Sequence, residues 1–114
     1  YIKEVNTYAC SGISNTIGEL STDKVFIPGI TEIEYRDTSQ SRAESGQKQF
    51  PIFTDDTSRW KYLSNGNSTE HPKWWSRSTC YGLYNSYCCI SESGSTTYHD
   101  YPHYAYGICF CFNV

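Results

Sequence analysis

The sequence predicts an α+β fold with more strand than helix, and three observations carry that prediction. The residues available to a core are aromatic and β-branched more than leucine, which suits packed strands. The apolar stretches are short, as in Lys24-Val25-Phe26-Ile27 and Phe50-Pro51-Ile52-Phe53, and end before a helical period can build. Helix start signals occur at two places, each with room for only a few turns. At 114 residues the chain makes one domain with one core, able to bury roughly two thirds of its unfolded surface.

Residues 1–22 are polar, with isolated apolar residues among Ser, Thr, Asn and Gly, and read as loop with room for one strand. With no methionine and Tyr1 at the start, the chain is expected to be a piece of a longer protein, with 1–22 as an N-terminal segment and 23–114 as the domain proper. Lys24 to Ile27 is a strand closed by Pro28-Gly29. Glu32 lies three residues past Gly29, half of a capping box, so a short helix starts at Ile30. Asp37 to Gln49 is charged and without periodicity, an exposed loop. Thr54 to Leu63 has a capping Thr or Asp, acids early and bases late, and is expected as a helix of two or three turns broken by Asn65-Gly66-Asn67. Trp74-Trp75 opens the last β segment, a hairpin between Tyr84 and Tyr98 turns near Glu92-Ser93-Gly94, and Ile108 to Val114 forms a final strand.

From Thr79 to Val114 there is no Lys, Arg, Gln, Met or Trp, and seven of the eleven tyrosines fall between Tyr81 and Tyr106. Tyrosine supplies rigid amphipathic contact area, and Ser, Gly and Asn supply adaptable hydrogen bonding, as in evolved paratopes. The candidate ligand-binding residues are Tyr81, Tyr84, Asn85, Tyr87, Tyr98, His99, Asp100, Tyr101, His103, Tyr104 and Tyr106. A tyrosine-rich sheet with half-wet faces would use the same residues structurally, Tyr106 beside Gly107 first among them. The genetic code offers a second account of the bias. Free replacement of the first two bases of AAC or AAT codons reaches Asn, Tyr, His, Asp, Ser, Cys and Gly but never Lys, Glu, Gln, Met or Trp. Adenine-directed diversification by a retroelement makes such windows.

A net charge of -3 and a tyrosine region without bases argue against nucleic acid. No apolar run approaches membrane-spanning length, so neither membrane insertion nor a signal peptide is expected. The cysteines Cys10, Cys80, Cys88, Cys89, Cys109 and Cys111 lack zinc spacing, and Cys88-Cys89 adjacency is awkward for a disulfide framework. They are expected mostly as thiols. Calcium would find only the carboxylates Glu92 and Asp100 in the tyrosine region. His99-Asp100 and His103 come without a nucleophile motif. No catalytic residue, metal or cofactor is expected.

Three blocks, Asp23-Lys24-Val25-Phe26-Ile27-Pro28-Gly29-Ile30-Thr31-Glu32, Trp74-Trp75-Ser76-Arg77-Ser78-Thr79 and Tyr106-Gly107-Ile108-Cys109-Phe110, carry a family resemblance over about Lys24 to Val114. They resemble a C-type-lectin-like family of the broad formylglycine-generating-enzyme and retroelement-variable-protein kind, found in gut bacteria and their phages. That family runs D-K-V-F-L-L-S-x-x-E, W-W-L-R-S-P, a Tyr- and Ser-rich hairpin, then Y-G-V-R-P. Here Thr79 replaces the proline, Cys109-Phe110 replaces Arg-Pro, and the usual N-terminal half is missing or shortened. The resemblance implies short helices around a small, mostly antiparallel sheet with a long C-terminal loop and hairpin region, holding a ligand face without required catalysis. Phe26, Trp74, Trp75, Arg77 and Gly107 are then scaffold, with both indoles and Phe26 buried.

The expected function is a non-enzymatic receptor-binding or display domain on a virion surface, with a protein or glycan of a bacterial cell surface as partner. It would work as part of a larger protein or virion, in which homo-oligomers are an option. The alternative is a bacterial cell-envelope carbohydrate-binding module, and a remote one is a copper-cysteine oxidase of the formylglycine-generating type. Cys109 and Cys111, alternate residues on one strand, point to opposite faces and would clasp one ion only across a bulge.

Overall fold

The computed structural model describes residues 3–5, 21–23, 25–35, 48–62, 70–80, 83 and 85–112. Tyr81, Tyr84, Cys10, the Asn65-Gly66-Asn67 break and most of the Asp37 to Gln49 loop lie outside the described residues. Within them the fold is α+β, a four-stranded mixed sheet with one turn of α-helix, one 3-10 turn and two small strand pairs. No described helix is long and apolar enough to cross a membrane.

In the N-terminal segment, β1 (Lys3–Val5) and β2 (Ser21–Asp23) pair antiparallel, Lys3 opposite Asp23. Two strands thus stand where the sequence left room for one, because three-residue polar strands are too short to show an alternation. β3 (Val25–Phe26) ends at Pro28-Gly29, and α1 (Ile30–Ile33) follows. Gly29 has no side chain to offer, so the cap is Glu32 alone, whose carboxylate accepts the Gly29 N–H at 3.0 Å. All four residues of this turn are buried.

The main sheet is built on β4 (Trp74–Thr79), whose residues alternate strictly between buried and half-buried. β5 (Tyr87–Ile90) pairs antiparallel with it, and β6 (Tyr98–Asp100) antiparallel with β5, with Tyr87 opposite Asp100. The β5 to β6 hairpin turns at Glu92-Ser93-Gly94 as the sequence indicates, closed by Gly94 N–H to Ser91 O at 2.9 Å. Gly94 has φ 87°, and a Cβ there would lie 1.9 Å from the Asp56 carbonyl oxygen, so both backbone and space demand glycine.

β7 (Gly107–Ile108) adds parallel to β4, Trp74 opposite Gly107, and β8 (Cys111–Phe112) then leaves this sheet to pair with β3. The single strand expected from Ile108 onward is therefore two, since the chain switches sheets at Cys109-Phe110. Past Trp75 the edge of β4 is taken by the segment after β3, where the Arg77 N–H donates to Pro28 O at 3.1 Å.

The core between α1 and this sheet gathers Ile30, Ile33, Phe53, Trp74, Cys80, Cys88 and Ile90. Phe26, Phe50, Phe53 and Trp74 form a chain of rings 6.2 to 6.4 Å apart. Two polar networks cross it. Arg77 reaches Ile27 O at 3.0 Å and the fully buried Glu32 carboxylate at 2.5 Å, while its neighbours Ser76 and Ser78 bond Cys88 O and the Ile30 N–H. Arg59, also buried, pairs with Asp56 at 2.6 Å and Glu34 at 3.6 Å and reaches Gly94 O, and Glu34 accepts the Thr96 hydroxyl.

The helix expected over Thr54 to Leu63 is instead a single 3-10 turn, Thr57–Arg59. The Ser58 hydroxyl takes the N–H groups of Thr54 and Asp55, and the Asp55 carboxylate takes those of Ser58 and the Thr57 hydroxyl. These local bonds offer the backbone an alternative to the helix ladder. They also hold the Asp55 carboxyl below its ordinary pKa, the Ser58 N–H most of all.

Candidate functional site

Strand alternation divides the sheet into a core face and an outer face. Cross-strand partners share a face, so Trp75, Cys89 and Tyr98 stand together, as do Tyr87 and Asp100, with Ile108 beside Trp75 from β7. His99 stands opposite Cys88 and so belongs to the other face, away from Tyr98 and Asp100. Asn85 is exposed in the turn before β5. Of the scaffold residues, Phe26 and Trp74 are buried and Arg77 holds its network, but Trp75 is only half-buried. Two adjacent indoles on one strand cannot both face the core, and β4 gives Trp74 to it.

The connection from β6 to β7 carries the rest. Its backbone is turned by Tyr104 N–H to Tyr101 O at 3.2 Å and Tyr106 N–H to Tyr104 O at 3.1 Å. The side chains form a ladder: Tyr101 to His103 at 5.9 Å, His103 to Tyr104 at 4.4 Å, Tyr104 to Tyr106 at 5.8 Å and Tyr106 to Trp75 at 4.8 Å. Tyr87 continues it edge-on to Trp75 at 6.5 Å. Tyr98, Tyr101 and Tyr104 keep 50%, 47% and 45% of their surface exposed, too much for rings spent on a core. Next to Trp75 a recess of about 290 Å³ is lined by Ile27, Ser76, Arg77, Tyr87, Pro102 and Ile108.

One end of the ladder is fixed by charge. Tyr106 donates to Asp100 at 2.6 Å, Lys73 donates to the Tyr106 oxygen at 3.5 Å, and the Lys73 ammonium lies 5.3 Å from the Tyr106 ring and 5.8 Å from that of Tyr98. The Tyr106 hydroxyl holds the Asp100 carboxyl below its ordinary pKa, and the same bond raises the Tyr106 phenol. Burial alone would lower Lys73, but the Tyr106 hydroxyl with Glu92 and Asp100 outweighs it and leaves the ammonium favoured. Beneath this trio Cys89 is buried, and burial pushes its thiol up to about 11, with Asp100 adding to the shift.

Sequence reasoning missed Lys73, Trp75, Pro102 and Ile108 as members of this surface. The signal for Trp75 was present in the strict two-residue period of a strand that begins Trp-Trp. Lys73 lay before the biased window and carried no mark of its own.

In this structure Cys80, Cys88, Cys89, Cys109 and Cys111 stand in the thiol form. Cys109 follows β7, while Cys111 lies in β8 of another sheet. Among the described residues no three His, Cys, Asp or Glu side chains come together as a metal site. The arrangement offers contact area, stacking faces and a few directed hydrogen bonds.

No curated protein and no solved structure matches the chain. A family model does, over residues 2–114, its description being Domain of unknown function (DUF6273). The sheet, the Trp-Trp strand and the tyrosine ladder are thus features of a chain that belongs to the DUF6273 family.

Proposed function

We propose that this domain is a non-enzymatic ligand-binding module of C-type-lectin-like architecture, displayed on a phage particle toward a protein or glycan of a bacterial surface. The observation that supports it best is the ladder that runs from Tyr101, His103 and Tyr104, exposed on a loop turned by its own backbone bonds, to the half-buried Tyr106 and Trp75. Side chains on such a loop are exchangeable without disturbing the core, as a diversified surface requires. Exposed aromatic rings in one patch are also the common anchors of protein interfaces.

The recess beside Trp75 favours a second reading, a cell-envelope carbohydrate-binding module. An indole face with Tyr87 beside it and Asp100 and Lys73 near the ladder's end suits a sugar ring, which stacks on its apolar side and hydrogen-bonds at its rim.

Fluorescently labelled domain incubated with intact gut bacteria and with printed glycans tests both. Replacing Tyr101→Ser and Tyr104→Ser together is expected to weaken cell binding by about 2–4 kcal/mol with unchanged folding. Cell binding that resists this double change, or unfolding caused by it, overturns the assignment. Retention on glycans that depends on Trp75 selects the second reading.

A further inference from the structure

The connection between β4 and β5 carries a cysteine at each end, both on the core side. The Cys80 N–H donates to Ser86 O at 3.1 Å, which sets Cys80 opposite Ser86, and Cys88 follows two residues along on the same face of β5. Their Sγ atoms lie 2.9 Å apart, inside the van der Waals contact of two sulfurs and longer than the roughly 2.05 Å of a disulfide. Both side chains are buried. Cys89, next in sequence, stands on the opposite face, across from Trp75 and Tyr98. The adjacent cysteines are therefore never rivals for one partner.

We propose that Cys80 and Cys88 form an intramolecular disulfide that staples the β4 to β5 connection. The two thiols lose two protons and two electrons as the Sγ–Sγ bond forms, and a small-molecule disulfide such as glutathione disulfide accepts them and leaves as two thiols. The bridge spans eight positions of sequence and fixes both ends of the segment that contains Tyr81, Tyr84 and Asn85. Ends held this way stay paired whatever residues lie between them. The staple stands independently of the ligand assignment.

Burial and the mutual contact also decide when the bond forms. The hydrogen bond to Cys88, with desolvation, raises the Cys80 thiol far above the ordinary range, so thiolate is scarce in the folded state. Exchange belongs to the folding chain, and the finished bond is shielded from reductant.

The test uses the full chain, refolded from urea in glutathione and glutathione disulfide and then quenched into urea with excess N-ethylmaleimide, so that buried as well as exposed thiols are blocked. It is then denatured and digested with trypsin and chymotrypsin. Trypsin has no site after Arg77, and chymotrypsin cuts after Tyr81, Leu83, Tyr84 and Tyr87, inside the connection. A fragment ending at Tyr81 and one beginning at Cys88 then remain joined only through the bridge. The joined pair is expected in the wild-type chain and in Cys89→Ser, and lost in Cys80→Ser and Cys88→Ser. The bridged form should melt higher than the reduced form by on the order of 10 °C and resist dithiothreitol until urea is added. Full alkylation of all cysteines at an oxidising poise overturns the proposal, as does a joined pair that fragmentation assigns to Cys89. Fragmentation of the wild-type pair decides the matter even if a variant fails to fold.

Discussion

At Tyr106 the phenol donates to Asp100 and receives Lys73, and each partner's titration bears on folding. Asp100 has a folded pKa below its ordinary value of 3.8, so its contribution is present above that value and lost as pH falls through the lower folded one. Tyr106 has a folded pKa above 10.0, so its contribution is full below 10.0 and lost as pH rises through the folded one. A tyrosine titration followed by ring NMR signals should therefore show Tyr106 deprotonating above 10.0, and Asp100→Asn should bring it back toward that value. An unchanged Tyr106 midpoint in that variant would refute the bond. Gly94 makes a sharper demand, because its φ of 87° and the Asp56 carbonyl 1.9 Å from any Cβ leave no room for a side chain. Gly94→Ala should cost at least about 2 kcal/mol in urea denaturation, and a cost below the usual surface range would contradict the close approach.

Among the elements, β4 is tied to both networks, since it carries Arg77 and its Trp74 indole N–H donates to Arg59 O at 3.0 Å, and Arg77 with Glu32 is the more enclosed pair. Arg77→Leu should destabilise by about 3–5 kcal/mol in urea melts, since it leaves the Glu32 carboxylate buried, while adding Glu32→Leu should recover part of the loss. The fully buried acid is what makes the single change worse than the double one. Elements whose signals are local were legible in the sequence: the Glu32 cap announced α1, and Gly94 announced the hairpin. Thr54 to Leu63 was misread because Asp55, an acid that suggests a helix start, here bonds with Ser58 within one turn that goes no further. The candidate site was legible by composition but not by face. His99 sits amid ligand-type residues yet stands opposite Cys88, and Trp75 sits amid scaffold residues yet joins the ladder. Only cross-strand register sorts such neighbours, and register depends on partners distant in sequence.

For the molecule as a whole, the two faces of the sheet separate stability from contact. Trp74→Ala should cost about 3–5 kcal/mol and lower the melting temperature first, while Trp75→Ala should cost less than about 2 kcal/mol yet abolish whatever stacks beside it. A calorimetric melt of the two variants side by side checks this, and equal losses would mean the faces are not distinct. The pairing of β3 with β8 sets a different property, the order in which the chain acquires its structure. Val25 meets Phe112 across most of the chain, and β4 meets β7 across the whole β5 to β6 hairpin, whereas β4, β5 and β6 join through near neighbours. Loop-closure entropy makes the near pairings fast and the far ones slow, and the pairings won last are the first to open. The aromatic loop is thus slung between an early strand, β6, and a late one, β7. Amide exchange should find Cys88 to Ile90 protected to the global limit and Gly107 to Phe112 opening sooner, so the ladder rides on a hinge with one fixed side and one that breathes.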